Sequence, residues 1–241
     1  MFSTDAHPGP EQFEFDGAVA AVFDDMAGRS VPGYGLLQDL LVDLALRCHR
    51  GEPIYDLGCA TGTTLAGIGD RSPEPVTLVG VDRSAAMLEQ ARAKLAPLEA
   101  RHSVVLEERD IADPDAYTQG PAGVVVMCLT LQFVRPLERP ALLETVARNL
   151  APGGHLLLVE KTVEADPGMN TLLLDAYHGF KAAQGYTETE IARKREAYHN
   201  RLVPFRPQEN ATLLGRAGFD PVAVFFACLN FQGYVARRPA G

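Results

Sequence analysis

Ile54-Tyr55-Asp56-Leu57-Gly58-Cys59-Ala60-Thr61-Gly62 joins a short apolar run of strand formers to two glycines four apart, and a helix-like segment follows. The chain therefore turns sharply at the carboxyl end of a strand, which is where open α/β sheets bind ligands. A dinucleotide site usually carries G-x-G-x-x-G, whose middle glycine lets the backbone approach a pyrophosphate at a helix N-terminus. Here the pattern is Asp56-x-Gly58-x-x-x-Gly62, with no middle glycine and a carboxylate at the end of the strand. An acid in that place repels phosphate and welcomes an amino or sulfonium group. Taken alone, the loop also suits an ordinary strand-to-helix turn.

Beyond the loop, Thr63 to Ile68 starts a helix, and Val76-Thr77-Leu78-Val79-Gly80-Val81 reads as a buried parallel strand that ends in Asp82. An acid there, about 20 residues past the glycine turn, is placed to accept hydrogen bonds from both ribose hydroxyls of a nucleoside. It also suits a cap for the helix expected over Ser84 to Leu95. Val104 to Leu106 is a third strand, followed by Asp110-Ile111, an acceptor beside an apolar face. That pair suits an adenine, and equally a solvated loop acid. Gly123 to Met127 is the fourth strand and runs into Cys128-Leu129-Thr130-Leu131-Gln132-Phe133. Arg139 to Asn149 is helical, Pro152-Gly153-Gly154 is a turn, and Leu156 to Val159 is the fifth strand. The alternation predicts an α/β protein with a doubly wound, mostly parallel, seven-stranded Rossmann-like sheet. The last two strands, Val222 to Ala227 and Phe231 to Ala236, form a hairpin, so one of them is antiparallel.

The remaining segments are helical. Phe15 to Met26 places Val19, Ala20, Val22, Phe23 and Met26 at helical spacing, and a second helix runs from about Leu36 to Cys48. Residues 1–50 thus form an N-terminal helical cap, either a lid over the glycine loop or a cover for a sheet edge. Asn170 to Gln184 and Thr187 to Asn200 predict a helical insertion over 165–206 on a single domain spanning 1–241. With 46% hydrophobic and 22% charged residues, the composition is that of a soluble globular protein. A net charge of −9 argues against a broad nucleic-acid footprint. Cys48, Cys59, Cys128 and Cys228 are scattered, without metal-knuckle or disulfide spacing, and are read as mostly buried apolar residues. No leader pattern and no membrane-length apolar run is visible, so a cytoplasmic location is expected.

Together these residues resemble the class I S-adenosylmethionine (SAM) methyltransferase superfamily, and within it the carboxy-SAM synthases. The pieces that carry it are Phe15-Asp16, Arg29-Ser30-Val31-Pro32-Gly33-Tyr34, Tyr55-Asp56-Leu57-Gly58-Cys59, Thr130-Leu131-Gln132-Phe133, Phe180-Lys181, Gly185-Tyr186, Lys194-Arg195, Ala217-Gly218-Phe219 and Asn230-Phe231. The glycine loop suits any class I methyltransferase, whereas Ser30 to Tyr34, Thr130 to Phe133 and the Gly185-Tyr186 to Lys194-Arg195 spacing are far narrower. The resemblance implies an enzyme that carboxylates the SAM methyl group with prephenate as donor, releasing phenylpyruvate and using no metal. It assigns cofactor contacts to Tyr34, Gly58, Cys59, Ala60, Asp82, Arg83, Asp110, Ile111 and Cys128. It gives Arg195, beside Tyr34 at the reaction centre, the new carboxylate to hold. It also implies a homodimer, no direct contact with nucleic acid or membrane, and a product that feeds a carboxymethyltransferase for a tRNA wobble uridine. Arginine suits the carboxylate because its planar fork meets both oxygens.

Arg193, Lys194 and Arg195 are consecutive on an expected helix, so their side chains diverge by about 100° each and only the resemblance selects Arg195. Lys181, Tyr186, Tyr198 and Arg201 are further candidates for a dianionic substrate. Cys128 stands where the family usually has asparagine, Ala60-Thr61 replace the usual loop residues, and Arg83 stands where a neutral amide is common. The alternative activity is ordinary methyl transfer to a small carboxylate-bearing metabolite, for which His178 or His199 would be a base.

Overall fold

Four residues, Ile54–Leu57, form the central strand β1, and all four are buried. In the computed structural model, which describes residues 17–113, 118–190 and 201–240, β1 pairs in parallel with β2 (Thr77–Asp82) on one side and β4 (Ala122–Cys128) on the other. The sheet continues through β3 (Ser103–Glu108), β5 (Leu150–Lys161), β6 (Val222–Cys228) and β7 (Phe231–Arg237) in the order β3-β2-β1-β4-β5-β7-β6. Only β7 runs against its neighbours, pairing antiparallel with both β5 and β6. The expected seven-stranded, mostly parallel sheet is present, with its hairpin at one edge.

Helices cover both faces, as strand alternation requires. Ile54, Val124, Val126, Leu157 and Val159 pack against α2 (Tyr34–Cys48), α3 (Thr63–Arg71) and α4 (Ala85–Leu95). Tyr55, Leu57, Val125, Met127, Leu156 and Leu158 face the other way, toward α5 (Arg139–Asn149) and α7 (Pro207–Arg216). Two further helices are α1 (Gly17–Ser30) and α6 (Pro167–Ala183). Among the described residues no helix is long and apolar enough to cross a membrane.

Several sequence expectations change. Val22 is 55% exposed, so it lies off the buried side of α1, which is carried by Ala20 and Ala27. Pro152-Gly153-Gly154 is no turn between elements but lies inside β5, where the register against β4 shifts and Gly153 takes a φ of +77°. A bulge and a turn share the same glycine signal. Helix α7 was not anticipated, although Pro207 at its first turn and the Arg206 N–H donating to Glu209 Oε2 at 2.8 Å are standard starting signals. Of the cysteines only Cys59 is buried; Cys48, Cys128 and Cys228 are half-buried, and all four are free. Helix α2 packs on the central strands through Leu37 and Leu41.

Candidate active site

A cleft of about 960 Å³ opens above the carboxyl ends of the parallel strands. Tyr34, Gly58, Cys59, Ala60, Asp82, Arg83, Asp110, Ile111 and Cys128, nine residues spread over almost a hundred positions, all line it. Arg195, with Arg193, Lys194, Tyr198 and His199, lies outside the described residues.

The loop that follows β1 is held by its neighbours. The Gly58 N–H donates to the Val81 carbonyl at 2.7 Å, and Gly62 N–H to that of Cys59 at 2.8 Å. Gly58 has a φ of +80°, and a β-carbon added there would collide with the Thr130 side chain. Ala60 also has a positive φ, +47°, a costly conformation for a residue with a side chain. It is fixed by Asp82, whose Oδ2 accepts the Ala60 N–H and whose Oδ1 accepts the Ser84 N–H, both at 2.9 Å. Each carboxylate oxygen has a second lone pair, so Asp82 can still receive two hydroxyls. Asp110 is exposed and accepts the N–H of Ala112 at 2.9 Å, closing its own turn at the rim.

Electrostatically this end is acidic. Asp56 is 2% exposed, and burial, reinforced by the neighbouring Asp82, raises its carboxyl to about 7. Burial also raises Asp82, opposed by the N–H groups of Ser84 and Ala60. Deeper in the cleft, Gln38 on α2 accepts the Thr64 hydroxyl at 3.0 Å and donates to Cys128 Sγ at 3.9 Å. Burial drives both the Tyr34 hydroxyl and the Cys128 thiol upward, so neither ionises near neutrality. Gln38 thus occupies the space beside the half-buried Cys128 where the sequence had suggested a missing amide.

The N-terminal helix reaches over the loop. Asp24 Oδ1 accepts the Thr61 hydroxyl at 2.6 Å and the Thr63 hydroxyl at 3.1 Å, while its Oδ2 pairs with Lys94 Nζ at 2.6 Å. Phe23, Met26, Ala27 and Ser30 line the cleft from the same helix. Helix α1 thus lies against the glycine loop. At its end, Ser30 Oγ lies 3.1 Å from Tyr186 Oη, and the Arg29 guanidinium sits 4.7 Å from the Tyr186 ring centre. Two of the narrow sequence pieces, Arg29-Ser30 and Gly185-Tyr186, are therefore one contact.

The opposite end is built from β5, α6 and the turn Leu131–Phe133. Gln132 is 4% exposed; its Oε1 accepts the Lys161 N–H at 2.9 Å, and Glu160 Oε1 accepts the Leu131 N–H at 3.0 Å. Buried Arg139 binds the Gln132 and Val134 carbonyls at 3.1 and 2.9 Å and the Val203 carbonyl at 2.7 Å. Burial raises Glu160 to about 8 despite Arg139 and the backbone N–H groups of Leu131, Gln132 and Thr130. Lys161 and Lys181 both lie over the Tyr177 ring, at 4.7 and 5.3 Å, and Lys181 is also 5.4 Å from Tyr186. His178 lines the cleft beside them. Lys161 escaped the sequence reading, though its place at the carboxyl end of a parallel strand was the available signal. Among the described residues no cluster of His, Cys, Asp or Glu could hold a metal ion.

An acid at the end of β2, an acid at the end of β1 and a glycine loop closed by Thr130 fit a nucleoside carrying a positive charge. With a seven-stranded sheet whose β7 is antiparallel, they define a SAM-dependent transferase of the class I methyltransferase fold. A family described as "Methyltransferase domain" matches residues 55–156. A solved O-methyltransferase family protein from Burkholderia thailandensis superposes with a TM-score of 0.69 at 23% identity over 94% of this chain, which spans 61% of that structure's length. The carboxy-S-adenosyl-L-methionine synthase of Desulfotalea psychrophila is 39% identical over 97% of this chain and 95% of its own length. The enzyme of that name from Methylococcus capsulatus is 43% identical over 95% and 94%. The chain belongs to the carboxy-S-adenosyl-L-methionine synthase family.

Proposed function

We propose that the protein transfers a carboxyl group from prephenate to the methyl carbon of SAM, giving carboxy-SAM, phenylpyruvate and water. As prephenate aromatises, the bonds to its ring carboxylate and ring hydroxyl break. The carbon dioxide released forms the new carbon–carbon bond, and the hydroxide takes the methyl proton and leaves as water. When bound, SAM supplies a sulfonium that acidifies its methyl protons.

The chain's own residues position and exclude. Asp82 receives the ribose, Asp110 and Ile111 the base, and Gly58, Cys59, Ala60 and Arg83 frame the nucleoside. Asp56 offsets the positive charge, and Tyr34 and Cys128, neutral at physiological pH, border the reacting carbon. Arg195 clasps the carboxylate that forms. Hydroxide and carbon dioxide arise together inside a cleft lined by Phe23, Met26, Leu174 and Phe231, where proximity and exclusion of water do the work otherwise done by a side-chain base.

The observation that carries this reading is the polarity of the cleft, with carboxylates at the loop end and ammonium groups at the other, matched to a cationic and an anionic substrate. On the same reading the protein acts in the cytoplasm as a homodimer. Its product passes to a carboxymethyltransferase for a tRNA wobble uridine, and its net charge of −9 accords with no direct grip on the RNA. Incubation with SAM and prephenate, followed by mass spectrometry, tests it. Carboxylated sulfonium with phenylpyruvate is expected, whereas S-adenosylhomocysteine with prephenate intact would refute it.

A further inference from the structure

Strand alternation separates the last two residues of β5. Glu160 points to the α5 face, where Leu131 and Arg139 receive it, and Lys161 points to the α2 and α6 face, into the cleft. Lys161 Nζ rests 4.7 Å from the centre of the Tyr177 ring, and among the described residues no carboxylate pairs with it. Desolvation alone lowers its ammonium below the ordinary range. The acids that line the cleft are committed elsewhere: Asp56, Asp82 and Asp110 at the loop end, and Glu138 at the rim beside Arg135 at 3.9 Å. Lys161 also lies two strands across the sheet from Asp56, about 10 Å, and four residues further toward the open end of the cleft, about 13 Å at the usual strand rise. A half-buried ammonium with a ring face as its counterpart, beside the buried Lys181, is short of one negative charge.

We infer that Lys161 is a substrate-binding residue, whose ammonium ion-pairs with a carboxylate of the anionic co-substrate and fixes that molecule at the end of the cleft opposite Asp56. Tyr177 holds the ammonium in place from below, and Lys181 adds to the positive potential. The assignment rests on the reading that an anionic carboxyl donor enters this cleft, and it goes further in naming the residue that receives it. Arg195 then serves the carboxylate of the product, and Lys161 one that the donor keeps throughout.

The test measures prephenate binding by calorimetry to protein loaded with S-adenosylhomocysteine, which has no methyl to carboxylate, with SAM affinity measured separately, for wild type, Lys161→Met and Lys161→Arg. Loss of one partner of a charge pair predicts prephenate affinity about tenfold or more weaker in Lys161→Met. SAM affinity should stay within about twofold, and Lys161→Arg should recover most of the loss. Unchanged prephenate affinity in Lys161→Met overturns the assignment, as does an equal loss of SAM and prephenate binding, which would mark a packing role. Wild-type turnover is scored independently. Conversion without an effect in Lys161→Met would sink the anchor and leave the reaction standing. Binding without conversion would sink the reaction and leave the anchor to be judged by the affinity ratio. Absence of both in wild type would sink the two together.

Discussion

The loop end of the cleft, from Gly58 to Ile111, and the end formed by Lys161, Tyr177 and Lys181 differ in what holds them and in what they attract. At the loop end, backbone N–H groups and carboxylates from adjacent strands are locked by local geometry, such as Ala60 and Ser84 donating to Asp82. At the far end, side chains meet from segments remote in sequence: Arg29 and Ser30 against Tyr186, and Lys161 against Tyr177. The first arrangement is rigid and acidic, the second aromatic and cationic. A fold shared with solved methyltransferases supplies the first, and on the proposed reading the second receives the anionic donor.

The largest effect that would sharpen this contrast is expected at Arg195, the residue proposed to hold the new carboxylate. Arg195→Ala should lower carboxylation by about a thousandfold, the scale for truncating one member of a desolvated charge pair, while SAM affinity is spared. Steady-state kinetics beside calorimetry separates the two, and retained carboxylation would move the carboxylate site elsewhere. At the loop end the reverse is expected. Gly58→Ala should weaken SAM binding by about a hundredfold, because a β-carbon meets Thr130 and the φ of +80° disfavours any side chain. Calorimetric SAM affinity close to wild type would break the claim that the loop is rigid.

A smaller effect is a pH dependence. Asp56 titrates at about 7, so it is largely protonated at pH 6 and ionised at pH 8. A positively charged ligand favours the carboxylate, so binding releases a proton and tightens as pH rises. Wild type should bind SAM about tenfold more tightly at pH 8 than at pH 6, after correction for the ligand's own amino group, and Asp56→Asn should lose that trend. A flat wild-type profile would remove Asp56 from the site's electrostatics.

The smallest effect concerns stability beneath the cationic end. Glu160, raised to about 8, is protonated in the folded chain where an unfolded glutamate is ionised. The folded state therefore holds the extra proton between about pH 4 and 8, and the residue's contribution declines as pH rises through that window. Glu160→Gln keeps an acceptor for Leu131 N–H, so its melting temperature should gain on wild type by a few degrees, about 2–4 °C per kcal/mol, as pH rises from about 7 to 8. A constant gap across that range would contradict the assignment.

The contrast also explains what was legible in the sequence. Strands β1 to β4, the glycine loop, Asp82 and the helix Arg139–Asn149 follow from short-range rules of period, punctuation and strand-end acids. Eight of the nine cofactor candidates meet in one cleft because they lie at or just beyond adjacent strand ends, which follows from parallel order, while Tyr34 reaches the same cleft from the start of α2. Gln38, Asp24 and Lys161 were missed because their partners are distant: Thr64, Thr61 and Tyr177 lie 26, 37 and 16 positions away. No local pattern marks such a pairing. Pro152-Gly153-Gly154 misled for the opposite reason, since a glycine signal fixes a backbone angle without saying whether the chain turns or bulges. The motifs Arg29-Ser30 and Gly185-Tyr186 were noticed as fragments, and only folding joined them.

A single isotope experiment addresses the central claim that one cleft brings a cationic methyl and an anionic carboxyl donor together. Prephenate labelled with carbon-13 in its ring carboxylate is turned over with unlabelled SAM, and the sulfonium product is analysed by mass spectrometry and carbon NMR. The label should appear in a new carboxymethyl group on sulfur, matched one for one by phenylpyruvate. Label found only in free carbon dioxide, with SAM unchanged or converted to S-adenosylhomocysteine, would contradict it.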